Sequence, residues 1–208
     1  MMPMAWSGVV VSIQPRVRLL RSFDQRSDTC LGYVVRLAGS VDGEPRSFAI
    51  AVGQAAHARH RIEIGNALSG MGVPVPDARR ETAELYKISK LKVLDRAAGR
   101  VGVPPPWHGV PPVLDVYRER GYRRLAARTY SSSCSSCIWA CRMPVEIIVD
   151  HWNPTRKRYR EETFCYGPLS CQLYRPGPTR KVPGRQGMTW EEEDWVDHDA
   201  VAHRDADD

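Results

Sequence analysis

The stretch LGYVVRLAGSVDGEPRSFAIAV, residues 31–52, sets two β-forming runs on either side of a turn. Leu31–Leu37 and Ser47–Val52 are rich in β-branched and aromatic residues. The intervening Ser40–Pro45 carries an Asp-Gly pair, which accepts the left-handed backbone of a hairpin turn. Working toward the N-terminus, Val9, Val11, Ile13, Val17 and Leu19 continue the alternation of a strand. Pro15 interrupts it, so that strand is expected to bend or to lie at an edge there. Residues 9–52 therefore read as a three-stranded meander.

Working toward the C-terminus, Gln54–Arg61 has few breakers and predicts a short helix, with His57 and His60 as a surface pair on it. Ile62 leads through a tight turn at Gly65 and Asn66 into a further extended segment. Glu84–Leu94 fits a last strand, although a helix over Asp77–Lys87 competes on propensity. Three meander strands, a helical connection and two more strands resemble the OB-fold, a five-stranded, partly open barrel. The resemblance covers about residues 8–96 and rests on the order of elements. It implies binding of single-stranded nucleic acid or oligosaccharide across one sheet face, with Arg16, Arg18, Arg21, Arg36, Tyr33 and Phe48 as candidate face residues. Phe48, set among apolar neighbours, reads better as a core residue.

Residues 99–112 contain three Gly and five Pro and can form neither helix nor central strand. They divide the chain into an OB-like barrel (residues 1–98), a linker (99–112), a basic cysteine-rich module (113–188) and an acidic tail (189–208). The expected fold class is mainly β with short helices (α+β): a five-stranded barrel plus a small metal-stabilised β-hairpin module.

Five of the six cysteines fall within residues 134–171. Cys134 and Cys137 form a CxxC, in which one tight turn can offer two thiolates with backbone amides turned toward the sulfurs. Cys165 and Cys171 form a looser pair around Gly167 and Pro168. Between the pairs, Val145–Trp152 and Lys157–Phe164 predict a hairpin. Two cysteine-bearing turns joined by a hairpin resemble a zinc ribbon, over about residues 130–175. The resemblance implies a structural Zn2+ held by Cys134, Cys137, Cys165 and Cys171, with the coordination shell closed. The chain departs from the usual ribbon in three ways: no Gly follows Cys137, five residues separate the second pair, and Cys141 is extra. Cys141 keeps open a 4Fe–4S cluster on Cys134, Cys137, Cys141 and one of Cys165 or Cys171. Cys30, among apolar neighbours, reads as a packing residue.

Charge separates along the chain. The net charge is +6, yet residues 191–208 hold nine Asp/Glu against one Arg. Between Arg118 and Arg185 there are fourteen Arg/Lys and five Asp/Glu. Arg156, Lys157, Arg158 and Arg160 lie around the expected hairpin tip, and Arg180, Lys181 and Arg185 follow on a Gly/Pro-rich backbone. Cations interleaved with aromatics suit phosphates and bases, so these seven residues are the expected contacts to single-stranded DNA or RNA. The acidic tail is expected to be disordered or docked, folding back on the basic surface or taking a protein partner.

No apolar run approaches the roughly 18–20 residues of a membrane helix, and the N-terminus lacks the features of a secretory signal. A cytoplasmic protein with reduced thiols is expected. No phosphate-binding Gly-rich loop, nucleophile elbow or catalytic carboxylate pair is evident. The sequence thus predicts a nucleic-acid-binding accessory protein with a structural zinc site, or alternatively an iron–sulfur protein.

Overall fold

A computed structural model describes residues 2–23, 25–97, 104–153 and 155–205. The fold is mainly β, with four short helices among the described residues. It begins with β1 (Met4–Ser22), β2 (Arg26–Val41) and β3 (Glu44–Val52), then α1 (Gln54–His60), β4 (Ala67–Pro74) and β5 (Leu85–Asp95). These five strands form a ring. β1 pairs with β2 and with β4, β2 with β3, β3 with β5 through one parallel bridge, and β5 with β4. The competing helix over 77–87 does not form beyond one 3-10 turn at Ala78–Arg80, because Leu85 and the residues after it are drawn into the ring.

Alternation puts Ile13, Val17, Tyr33, Val35, Leu37, Phe48, Ile50, Val52, Leu68 and Leu85 inside, each at most 3% exposed. Phe48 is a core residue as expected. Tyr33, expected on the binding face, is instead buried in the core, and its hydroxyl donates to Pro112 O at 2.7 Å. Pro15 does not break β1. It lies between the pairing with β4, which ends at Val9, and the pairing with β7, which begins at Leu19. There β2 flanks it on one side only, so its missing N–H leaves no ladder bond unmade. The bend falls beside it, where the register slips between Arg16 and Val17 opposite Gly32. Gly32 has φ +124°, and a Cβ there would stand 2.3 Å from Val52 O. Only glycine lets β2 pass that close and swing out of the ring with the far half of β1.

The projecting β1–β2 hairpin is the platform for the rest of the chain. After α2 (Leu114–Arg120) and β6 (Arg123–Arg124) come α3 (Ala127–Thr129) and one π-helical turn at Tyr130–Cys134. The expected hairpin then forms as β7 (Ala140–Ile148) and β8 (Lys157–Cys165), with Ala140 opposite Cys165 and Ile148 opposite Lys157. β7 adds in parallel to β1, with Leu19 opposite Val145, and β8 carries β6 on its other edge. The two expected modules therefore share one eight-stranded sheet. They also share a core, in which Tyr117, Ile138, Met143 and Val145 join the same cluster as Tyr33 and Val35. Of the expected linker, residues 99–103 lie outside the described residues. The remainder docks: Ile138 N–H donates to Trp107 O at 3.0 Å, and His57 Nε2 lies 3.3 Å from Pro111 O.

β9 (Arg180–Pro183), β10 (Thr189–Glu192) and α4 (Asp194–Val201) complete the fold, and the acidic tail is docked through its carboxylates. Glu192, 1% exposed, pairs with Arg21 and Arg26. Arg124 is fully buried and donates to Asp197, to Asp194 and to the carbonyls of Glu192 and Pro178. Arg21, expected on a binding face, is instead 1% exposed and shares the carboxylates of Glu162 and Glu192. Arg16 likewise turns to the buried Glu81.

Two outcomes follow from these contacts. Glu192→Gln removes the buried carboxylate that Arg21 and Arg26 share, leaving Arg21 with Glu162 alone, and should lower stability by about 3–5 kcal/mol in urea unfolding. The same measurement on Glu84→Gln, whose pair with Arg46 is nearly half exposed on both sides, should show a loss below about 1 kcal/mol. His57 is 4% exposed and stacks 4.1 Å from Tyr33, so it is a core residue and not the surface histidine expected on that helix. Burial lowers its pKa from the ordinary 6.5. The unfolded chain therefore takes up this proton first. Stability contributed by neutral His57 is complete above pH 6.5 and declines as the pH falls below it. Thermal unfolding of wild type against His57→Phe between pH 8 and 5 should show a steeper acid decline in wild type.

Candidate metal centre and nucleic-acid interface

The turn that carries the CxxC is held against the outside of the ring by one buried side chain. Gln14 on β1 donates from Nε2 to Cys134 O at 3.2 Å and to Cys137 O at 3.1 Å, while its Oε1 accepts from Tyr130 OH at 2.7 Å. Cys137 N–H closes the turn on Cys134 O at 3.0 Å. Cys134, Cys137 and Cys165 are buried in one small cluster with Leu125, Tyr130 and Ala140. Cys171, half-buried, lies within electrostatic reach of Cys134 and Cys165. The four cysteines expected to act together thus converge, from two turns separated by a hairpin. Among the described residues no three His, Cys, Asp or Glu side chains lie close enough together to hold a metal ion. No cysteine is in a disulfide.

The electrostatics of the four are mixed. Burial pushes Cys134 up to about 12 and Cys137 up to about 11, with neighbouring thiols adding to the effect. Backbone amides pull the other way. The main chain of Trp139, Trp107 and Ala140 lowers Cys137, and Gly167 N–H donates to Cys165 Sγ at 3.3 Å. N–H groups aimed at sulfur stabilise a thiolate, which is the form that binds metal. Raised pKa values favour the neutral thiols of Cys134 and Cys137, so a cation bound to them would displace protons.

Cys141 is elsewhere. Adjacent β7 residues face opposite sides of the sheet. Ala140 packs with the CxxC turn, while Cys141 is fully buried on the other side, where its thiol donates to Pro15 O at 3.1 Å. Burial raises its pKa, with Val17 the one backbone group opposing. Cys30 is half-buried against the core with Arg118 beside its thiol.

The seven expected nucleic-acid contacts divide. Arg180 is mostly buried over the Phe164 ring, 4.3 Å from its centroid, and bonds to Glu162 and Thr163 O. Arg160 pairs with Glu162 and donates to Lys181 O at 2.7 Å. Lys157 pairs with the buried Glu146. Arg160 and Arg180 tie the hairpin to β9, and Lys157 ties its two strands together. Lys181 is largely exposed opposite Glu191. Arg156, Arg158 and Arg185 are exposed at the outer end of the sheet, beside the β7–β8 turn and the segment between β9 and β10. The opposite side of the β7–β8 hairpin is gripped by the β4–β5 loop: Thr82 Oγ1 donates to Arg142 O, Arg80 pairs with Glu146, and Arg79 lies over Tyr159.

Sequence reasoning missed the aromatic side of this outer end. Phe23 in the β1–β2 turn, Trp152 in the β7–β8 turn and Met188 are all exposed, and they line one cavity of about 290 Å3 with Arg185 and His151. The polar character of the flanking turns was legible, but the meeting of turns more than a hundred residues apart was not. No family model, curated protein or solved structure matches this chain. None of the described helices is long and apolar enough to cross a membrane.

Proposed function

We propose that this protein binds nucleic acid on an OB-like barrel and that Cys134, Cys137, Cys165 and Cys171 hold a structural zinc ion in the module packed against it. The observation that carries the nucleic-acid reading is the sorting of the arginines. Those inside the sheet are matched by carboxylates, whereas Arg156, Arg158 and Arg185 gather exposed at one end. A cationic end of this kind is what phosphate neutralisation requires. The five-strand ring closed by β1, with a helix between β3 and β4, is the arrangement expected of an OB-like barrel. In such barrels the β1–β2 and β4–β5 loops are binding loops. Here the chain's own β7–β8 hairpin sits between those loops, so the binding surface passes to the hairpin's exposed tip.

For the metal, the donor set is four thiols with N–H groups on at least two of the sulfurs, within an apolar shell of Leu125, Tyr130 and Trp139. When bound, zinc would supply a closed cross-link between the CxxC turn and the end of β8. The position of Cys141 on the opposite side of β7 favours zinc over a 4Fe–4S cluster that counts Cys141 among its ligands. Six unpaired thiols suit a reducing compartment such as the cytoplasm. A protein partner of the acidic tail would meet Glu193, Trp195 and Asp199, which are exposed.

Elemental analysis and the visible spectrum of protein purified without oxygen test the metal. One zinc per chain and no absorbance near 400 nm are expected, with metal lost in Cys134→Ser and Cys165→Ser but retained in Cys141→Ser. A brown, iron-containing protein overturns the zinc assignment. Fluorescence anisotropy with a labelled single-stranded oligonucleotide tests the partner. The logarithm of affinity should fall linearly with the logarithm of salt. Replacing Arg156, Arg158 and Arg185 together by Ala should reduce the slope by about 2, at about 0.7 per phosphate contact. Affinity independent of salt overturns the reading.

A further inference from the structure

The three turns at the outer end of the sheet hold more than cations. Trp152 is 84% exposed, far more than any other described tryptophan. Its turn is closed by its own hydrogen bonds. Trp152 N–H donates to Asp150 Oδ1 at 3.0 Å, Asn153 N–H to Asp150 O at 3.1 Å, and Arg156 N–H to Asn153 O at 2.9 Å. The indole is thus presented to solvent from a braced turn, and the nearby Asp150 carboxylate is engaged in bracing it. Phe23 is brought to the same end by the far half of the β1–β2 hairpin. The chain at Gly184 lies directly on its ring, where a Cβ would stand 3.0 Å from Phe23 Cδ2. The missing side chain lets the segment carrying Arg185 and Met188 close over Phe23.

The cavity of about 290 Å3 between Trp152, Phe23 and Met188 does not stand alone. A second, of about 240 Å3, shares Phe23 and continues past Arg26 to Trp190. A third, of about 390 Å3, shares Ile148 and His151 with the first and Arg26 with the second. Three aromatic side chains, Trp152, Phe23 and Trp190, therefore line a run of shallow cavities. Arg156, Arg158, Arg185 and Arg26 stand along or beside it.

We infer that this run is a single-strand site in which unpaired bases stack on Trp152 and Phe23 while the arginines take the flanking phosphates. The inference rests on the nucleic-acid reading above and deepens it by naming the residues on which the bases stack. Exposed rings at the ends of cationic turns match the two elements of single-strand recognition, a charged track and π-faces that accept any base. A paired base keeps its faces inside the helix and cannot use them. A protein partner of basic arginines would be acidic and would not need an indole held out into solvent near them.

Anisotropy titrations of the full chain with a fluorescein-labelled 15-mer of thymidine, an abasic strand of equal length and a duplex test this. Wild type should bind the thymidine strand more tightly than the abasic strand or the duplex. Trp152→Ala should weaken the thymidine strand about tenfold or more with an unchanged salt slope, leave the abasic strand unaffected, and be largely rescued by Trp152→Phe. Trp195→Ala, an exposed tryptophan on α4, should bind as wild type. Because Trp152 is exposed, the variant should unfold at the wild-type temperature. Salt-dependent binding of the thymidine strand that Trp152→Ala does not weaken overturns the stacking site while leaving the nucleic-acid reading standing. Equal Trp152→Ala losses on the abasic strand also overturn it. Absence of binding to all three strands, or binding only to anionic lipid vesicles, overturns both.

Discussion

Nineteen residues of extended chain, Met4–Ser22, hydrogen-bond to three other strands in succession. At about 3.3 Å per residue this strand spans some 60 Å, longer than one small ring needs. Its first part pairs with β4 and closes the ring. Its middle, where β2 is the only flanking strand, accommodates Pro15. Its end takes β7 in parallel and starts the second half of the sheet. Losing β1 would open the ring and detach the hairpin together, so the two halves are coupled through one strand's backbone.

The second constraint is charge. The face of the large sheet that carries Arg21 and Arg160 cannot pack against Arg180 of β9 unless those guanidiniums are matched, because a buried unpaired charge costs several kcal/mol. Glu162 from β8 and Glu192 from the tail supply the match. Asp194 and Asp197 do the same for Arg124. The acidic tail is therefore an integral part of the fold. This internal use of charge is also what leaves Arg156, Arg158 and Arg185 distinct, since they have no such role and lie at the surface.

The elements themselves were largely legible. Alternation over residues 9–52 gave the meander, few breakers gave α1, and the apolar run from Val145 followed by the Asn153–Pro154 turn signal gave β7 and its return as β8, because such patterns are local properties of the chain. Where local signals tied, as between helix and strand at residues 77–94, pairing with β4 decided. The cysteine spacing likewise grouped Cys134, Cys137 and Cys165, which share one buried cluster, and pleat parity then separated Cys141 from Cys165. The same parity could have been applied to the sequence once the register of β7 on β8 was known, but register is a tertiary fact.

What the sequence determined by itself was local: strands, turns, a basic body, an acidic tail and two cysteine-bearing turns. Only the tertiary structure decided which arginines face carboxylates and which face water, because an ion pair joins residues 21 and 192 as readily as neighbours. It alone decided that His57 is a core residue against Tyr33. It also brought Phe23, Trp152 and Met188, each unremarkable in its own segment, to one end. Burial and proximity depend on how the strands are ordered in the sheet, and strand order is set by long-range hydrogen bonding that no local pattern records.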